Sequence, residues 1–172
     1  NKCLALFTQL KKEAIFLFLK AIGLEPVEWP EAVRRTGVGS PHNSDVVTTN
    51  LKRVGAIIVF ATGDDIVHLR HELIQPGESE TERIPTPQAR ANVIFEAGMA
   101  FFMDKSRVIF VELGNVKGFS DTAGLNAVRW DDSVEQRLNL ISRLKSLKCP
   151  VRTDDDAWKQ INLILVRRPR FT

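Results

Sequence analysis

Apolar residues recur along this chain in two rhythms: short unbroken runs, and longer stretches with helical spacing. Lys2 to Phe7 is a short run that reads as a buried strand. Gln9 to Ile22 then shows helical spacing, and Gly23 stands where a helix would stop. Leu24 to Trp29 alternates loosely and reads as a second strand, closed by Pro30. Arg34 to Ser44 holds Gly37, Gly39, Ser40, Pro41 and Asn43, a loop by composition. Asp45 to Arg53 has helical character. Ala56 to Ala61 (AIIVFA) is the strongest strand in the chain, apolar throughout, and it ends at Thr62-Gly63-Asp64-Asp65.

Val67 to Pro87 follows neither rhythm, and its polar part, Gln75 to Glu82, is expected to be a long mobile loop. Gln88 to Met103 reads as a helix and Arg107 to Glu112 (RVIFVE) as another buried strand. Gly114 to Gly124 is expected to be loop or broken helix, and Leu125 to Trp130 a weak strand. Ser133 to Lys148 predicts an amphipathic helix, with Leu138, Ile141, Leu144 and Leu147 on one face and Arg and Lys opposite. Asp156 to Val166 is expected to form a last helix. Strands that alternate with helices, and strands that are continuously apolar, predict a parallel sheet covered on both faces. The ligand crevice of such a sheet lies beyond the C-terminal ends of its strands. Here those ends are Phe7-Thr8, Trp29, Thr62 to Asp65, and Glu112-Leu113.

Composition narrows the function classes. The 172 residues suit one domain, with a core over about 1–148 and a C-terminal helix and basic tail over 149–172. Position 1 is Asn rather than Met, so the chain is expected to be excised from a longer multidomain protein. Hydrophobic residues at 44% and charged residues at 26% are an ordinary globular balance. The net charge of +3, with Arg167, Arg168 and Arg170 as its one dense cluster, is too small to predict a nucleic-acid partner. Cys3 and Cys149 form no CxxC pair, which fits a reduced, cytoplasmic protein. The apolar stretch Ala14 to Ile22 is broken by Lys20 and is too short to span a bilayer, so no membrane partner is expected. His42, His68 and His71 show no ligand spacing and are expected at the surface, with no metal.

Candidate chemistry centres on one side chain. From Val93 to Met103 every residue is apolar or Gly except Glu96. A helix apolar on all sides is buried, and a buried carboxylate is costly unless it is paired. Glu96 is therefore either neutralised by Arg90 or Arg107, or kept for chemistry. Asn92 falls four residues earlier on the same face, and Arg90 in the first turn. Together the three suit a polyhydroxylated, phosphorylated ligand. Trp29 and Phe7, at strand ends, are placed either to stack on a base or to pack. Asp64 and Asp65 are placed either to meet a ribose or to cap a turn. Gly39-Ser40 is no phosphate-binding P-loop, since the GxxxxGK[ST] pattern is absent.

The segment Gln88-Ala-Arg-Ala-Asn-Val-Ile-Phe-Glu-Ala-Gly98 resembles the QaRpNVxfElG signature of the predicted nucleotide-binding, Toll/interleukin-1 receptor (TIR)-like family. That family supplies NAD-degrading effectors to bacterial anti-phage systems, fused to STING-like or cyclic-nucleotide-binding sensors. Ala56 to Asp65 resembles the family's strand ending in a TpDD turn, Phe119 to Leu125 its PSDxxGl loop, and Gly23 to Trp29 its entry to the second strand. The resemblance implies a flavodoxin-like TIR fold of about five parallel strands with helices on both faces. It also implies NAD glycohydrolase activity with Glu96 as the catalytic residue. Partners it implies are NAD as substrate, TIR–TIR self-association and a sensor domain in the same polypeptide. The loop after the second strand, here with Gly39 and Ser40, borders substrate in TIR domains and takes part in assembly. Two signature positions differ, Ala91 for Pro and Ala97 for Leu. The turn Phe7-Thr8-Gln9-Leu10 replaces the family's HGR-type turn, where nucleotide contacts near Thr8 are expected.

The reaction is chemically economical. The leaving group of NAD is a cationic pyridinium that departs as neutral nicotinamide, so no general acid is needed and the usual carboxylate pair reduces to one. One ionised carboxylate can stabilise an oxocarbenium-like transition state, more strongly at low dielectric. No cofactor is expected beyond the substrate. Two other functions fit the same residues. A non-catalytic TIR module would assemble without consuming NAD. A nucleoside 2-deoxyribosyltransferase-like enzyme would release free base from nucleosides and leave NAD untouched.

Overall fold

The computed structural model describes residues 2–7, 11–118 and 124–164. Five parallel strands form its centre: β1 (Lys2–Leu6), β2 (Glu25–Pro26), β3 (Ala56–Thr62), β6 (Val108–Leu113) and β7 (Val128–Trp130). Their spatial order is β2-β1-β3-β6-β7, the flavodoxin-like doubly wound order. Every residue of β3 is buried, because both of its faces carry helices. Its odd and even positions divide between two cores. Ala56, Ile58 and Phe60 join α1 (Lys12–Ala21) and α6 (Val134–Ser146) on one face. Ile57 and Val59 join α2 (Trp29–Arg34), α3 (Asn43–Leu51) and α5 (Ala91–Asp104) on the other. Each fully buried Ile, Val or Phe side chain contributes about 1.5–3 kcal/mol, which explains why an unbroken apolar run was so legible. No helix among the described residues is long and apolar enough to cross a membrane.

Four sequence expectations are corrected here. The second strand is two residues long, and Trp29-Pro30 opens α2 instead of closing a strand. Proline is tolerated in a first helical turn, where its missing N–H has no partner to lose. The expected loop from Gln75 to Glu82 is loop only as far as Ser79, and the wider segment from Val67 to Pro87 has regular structure. Its base is a two-stranded antiparallel ribbon, β4 (Asp65–Val67) with β5 (Thr86–Gln88), and it carries a short helix α4 (Glu80–Arg83). Strands of three residues show no periodicity, so their pairing was unreadable. The expected helix from Asp156 to Val166 is absent over its described part, 156–164, where a single 3-10 turn, Ala157–Gln160, precedes residues 161–164.

The fourth correction concerns α6. Its buried face is Arg137, Leu140, Ile141 and Leu144, while Leu138 is 48% exposed. The arginine lies inside because it binds the returning C-terminal segment. Its guanidinium donates to the carbonyls of Asp132, Ser133 (3.2 Å), Trp158 (3.3 Å) and Ile161 (2.5 Å). The Asp132 carboxylate in turn accepts from the amides of Leu163 (2.8 Å) and Ile164 (2.9 Å). From the start of α1, the Lys11 ammonium donates to the carbonyls of the same two residues at 2.7 and 2.8 Å.

Gly63 sits where β3 passes the ribbon. A Cβ there would meet the Cβ of Pro87 at 2.6 Å, and a proline ring is rigid. Gly63→Ala is therefore expected to lower stability by about 1–3 kcal/mol, the usual cost of overpacking. Chemical denaturation checks this; an unchanged midpoint would contradict the close approach.

Candidate active site

Beyond the end of β1 the helices on the two faces part, and a hollow of about 150 Å³ opens there. Its walls are Leu4 to Phe7 of β1 and the turn after it, Lys12 and Phe16 of α1, Val27, Trp29 and Ala32 around α2, Val46, Val47 and Asn50 of α3, and Glu96 of α5. This is the switch point of the strand order, where one connection runs to each face. Phe7 and Phe16 meet edge-to-face with centroids 5.4 Å apart, so the wall on the α1 side is aromatic.

Glu96 is the one carboxylate in the lining. It makes no hydrogen bond or ion pair among the described residues. Neither proposed cationic partner forms an ion pair with it. Arg90 lies 3.8 Å from Asp65. Arg107 pairs with Asp104 at 2.7 Å and also donates to the carbonyl of Val54. Burial alone pushes the Glu96 carboxyl above the usual carboxylate range. A half-buried, unpaired carboxylate in an apolar hollow is an electrostatic resource with no evident structural use.

The helix that carries it is not buried on all sides, as its composition predicted. Phe95 is 67% and Phe102 94% exposed, while Val93, Ala97 and Ala100 face the core. Periodicity could not show this, because the outward residues are as apolar as the inward ones.

The other candidate residues divide. Trp29 lines the hollow and is 48% exposed, which places its indole at the rim. Asn92 and Arg90 are exposed and do not line it; Arg90 precedes the first turn of α5 as its N-cap residue. Asp65 lies 3.8 Å from Arg90 in a solvent-exposed pair, and the Asp64 carboxylate accepts from the Thr62 hydroxyl; neither lines the hollow. Gly39 and Ser40 are exposed and stand apart from the lining. Thr8, the loop 119–123 and the arginines of the tail lie outside the described residues. His42 caps α3, its Nδ1 accepting from the Ser44 amide at 3.3 Å. Among the described residues no group of three or more His, Cys, Asp or Glu is placed to hold a metal ion.

Sequence reasoning missed Lys12, Phe16 and Asn50 as lining residues. Asn50 is hydrogen-bonded: its amide donates to the carbonyls of Ala32 (3.0 Å) and Val46 (2.8 Å), and its oxygen accepts from Arg35 (3.1 Å). It joins α2 to α3, and both of its N–H donors are used. A wider, open groove of about 1110 Å³ lies past β6 and β7. Its carboxylates include Glu112, 3.9 Å from Arg129, and Glu82, 2.6 Å from Lys117.

The family model for the CAP12/Pycsar effector protein, TIR domain, matches residues 8–132. No curated protein matches the chain. The matched span contains Glu96 and most of the hollow's wall, and it ends at Asp132, before α6 and the C-terminal segment.

Proposed function

The chain belongs to the family of CAP12/Pycsar effector TIR domains, and from that premise we propose that it cleaves NAD to nicotinamide and ADP-ribose or its cyclic form, with Glu96 as the catalytic carboxylate. The observation that carries this reading is the unpaired state of Glu96 in a hollow where no cation neutralises it. A volume near 150 Å³ accommodates a single six-membered ring, well below the roughly 300–1,000 Å³ of sites that enclose a whole ligand. Only the nicotinamide ring enters; the ribose lies at the mouth, and the rest of the dinucleotide lies over the rim, where Trp29 offers a stacking face.

As the N-glycosidic bond breaks, its electron pair leaves with nicotinamide and positive charge develops on the ribose. The Glu96 carboxylate stabilises that charge and accepts hydrogen bonds from the ribose hydroxyls. The apolar walls keep the local dielectric low, which strengthens the attraction. Water, or a ring nitrogen of the adenine, then attacks the anomeric carbon.

As an effector in anti-phage immunity, the protein would be switched on by assembly. Phe95 and Phe102 give α5 an uncharged outer face suited to self-association. A sensor in the same polypeptide would supply the trigger. Chromatography of NAD incubated with the assembled protein tests the reading. Release of nicotinamide is expected; intact NAD in the presence of a verified oligomer would leave an interaction module instead.

A further inference from the structure

Lys12 is the only cation among the described residues that lines the hollow holding Glu96. It is the first residue of α1. Its ammonium lies 5.5 Å from the centre of the Phe16 ring and 3.3 Å from a carboxylate oxygen of Glu28. Glu28 also meets Lys20 at 3.7 Å. These groups are partly exposed, so the Lys12–Glu28 pair is loose and exchangeable. Lys12 forms its ion pair with Glu28 and makes none with Glu96. The hollow thus has two charged groups in its lining, a carboxylate and an ammonium, alongside apolar side chains such as Leu6, Phe7, Phe16 and Val27.

Resting on the reading of Glu96 given above, we propose that Lys12 is the specificity-determining residue of this site: it binds the phosphate attached to the ribose that is cleaved, so that the site selects N-ribosides carrying a 5′-phosphate over unphosphorylated nucleosides. The two charged groups match the two ends of such a substrate. The developing cation at the anomeric carbon faces Glu96, and the anionic phosphate on the same ribose faces Lys12. In the free protein Glu28 holds Lys12 over Phe16. When phosphate arrives, Lys12 exchanges partners and Glu28 keeps Lys20, so no carboxylate is stranded.

The test compares NAD, nicotinamide mononucleotide and nicotinamide riboside as substrates of the assembled protein. Lys12→Gln is expected to lower kcat/KM for the two phosphorylated substrates about ten- to a hundredfold, chiefly through KM, as loss of one charge-assisted contact does. Turnover of the riboside is expected to change less than about twofold. Glu28→Gln, which frees Lys12, is expected to raise kcat/KM for the mononucleotide a few-fold, and added salt to reduce that gain. An equal loss on all three substrates, or no loss on any, would overturn the assignment. Calorimetric binding of the mononucleotide to Glu96→Gln, with and without Lys12→Gln, separates the two claims. Lys12-dependent binding by a wild type that cleaves nothing would sink the catalytic reading and keep this one. Binding insensitive to Lys12 would sink this one alone.

Discussion

Glu96→Gln is expected to reduce NAD cleavage by about a hundred- to a thousandfold and, at neutral pH, to make the fold more stable. The first effect follows from removing the one charge in the hollow that can face the developing cation; losing a single preorganised electrostatic contact commonly costs about 10²–10³ in rate. The second follows from linkage. Burial raises the carboxyl's pKa in the folded chain above its unfolded value. The folded chain therefore holds the proton more tightly than the unfolded chain does. Stability is lost as pH rises from the ordinary carboxylate range through the raised value, and the penalty is complete above it. Glutamine has nearly the same shape and carries no charge, so it escapes that penalty. The melting-temperature gain of Glu96→Gln should be largest near neutrality and fade as the medium is acidified. Wild-type cleavage should decline over the same acid range, since the protonated form cannot stabilise a cation. Nicotinamide release and thermal melts, both followed against pH, check the argument. A variant that stays active, or that melts lower than wild type at pH 7, would show that Glu96 is a structural group.

Removing the guanidinium of Arg137 is the other large perturbation. The residue is completely buried and serves four backbone carbonyls. It also lies 5.4 Å from the centre of the Trp130 ring and 3.4 Å from the Asp132 carboxylate. Arg137→Met keeps the stem and deletes the head. The carbonyls of Trp158 and Ile161 then lose their donor inside the protein, and Asp132 loses its cation. Breaking a buried charge in this way costs about 3–5 kcal/mol, which for a domain of this size is roughly 6–20 °C in Tm. Arg137→Lys should recover less than half, because one ammonium cannot reach carbonyls that a planar fork spans. Thermal unfolding measures the loss, and hydrogen exchange at the Leu163 and Ile164 amides locates it. A shift under about 2 °C would mean that the C-terminal segment is held by Leu163 and Trp158 packing alone.

The candidate site was legible only in part. Glu96 stood out because a lone carboxylate in an eleven-residue apolar run is a local anomaly. Trp29 was found as a rim residue, though for the wrong reason, since it begins a helix and does not end a strand. Arg90 and Asn92 were placed beside Glu96 by helical spacing, yet both are exposed and outside the hollow's lining. Spacing orders residues around one axis and says nothing about which neighbouring element faces them. Lys12 was invisible for the same reason: in the sequence it is one more charge beside Lys11 and Glu13.

The sequence by itself determined the central architecture. The long strands and the helices α1, α5 and α6 are specified by short-range patterns, and the burial of AIIVFA and RVIFVE leaves a parallel, doubly covered sheet as the way to bury them. Tertiary structure alone decided which charges meet. Arg90 is claimed by Asp65 from the turn after β3 and Arg107 by Asp104 from its own helix end, while Arg137 turns inward to carbonyls that lie up to 24 residues away. Coulombic and hydrogen-bonding energies depend on separation in space, not along the chain. That is why the fold could be read from periodicity, and why the freedom of the Glu96 carboxylate could not.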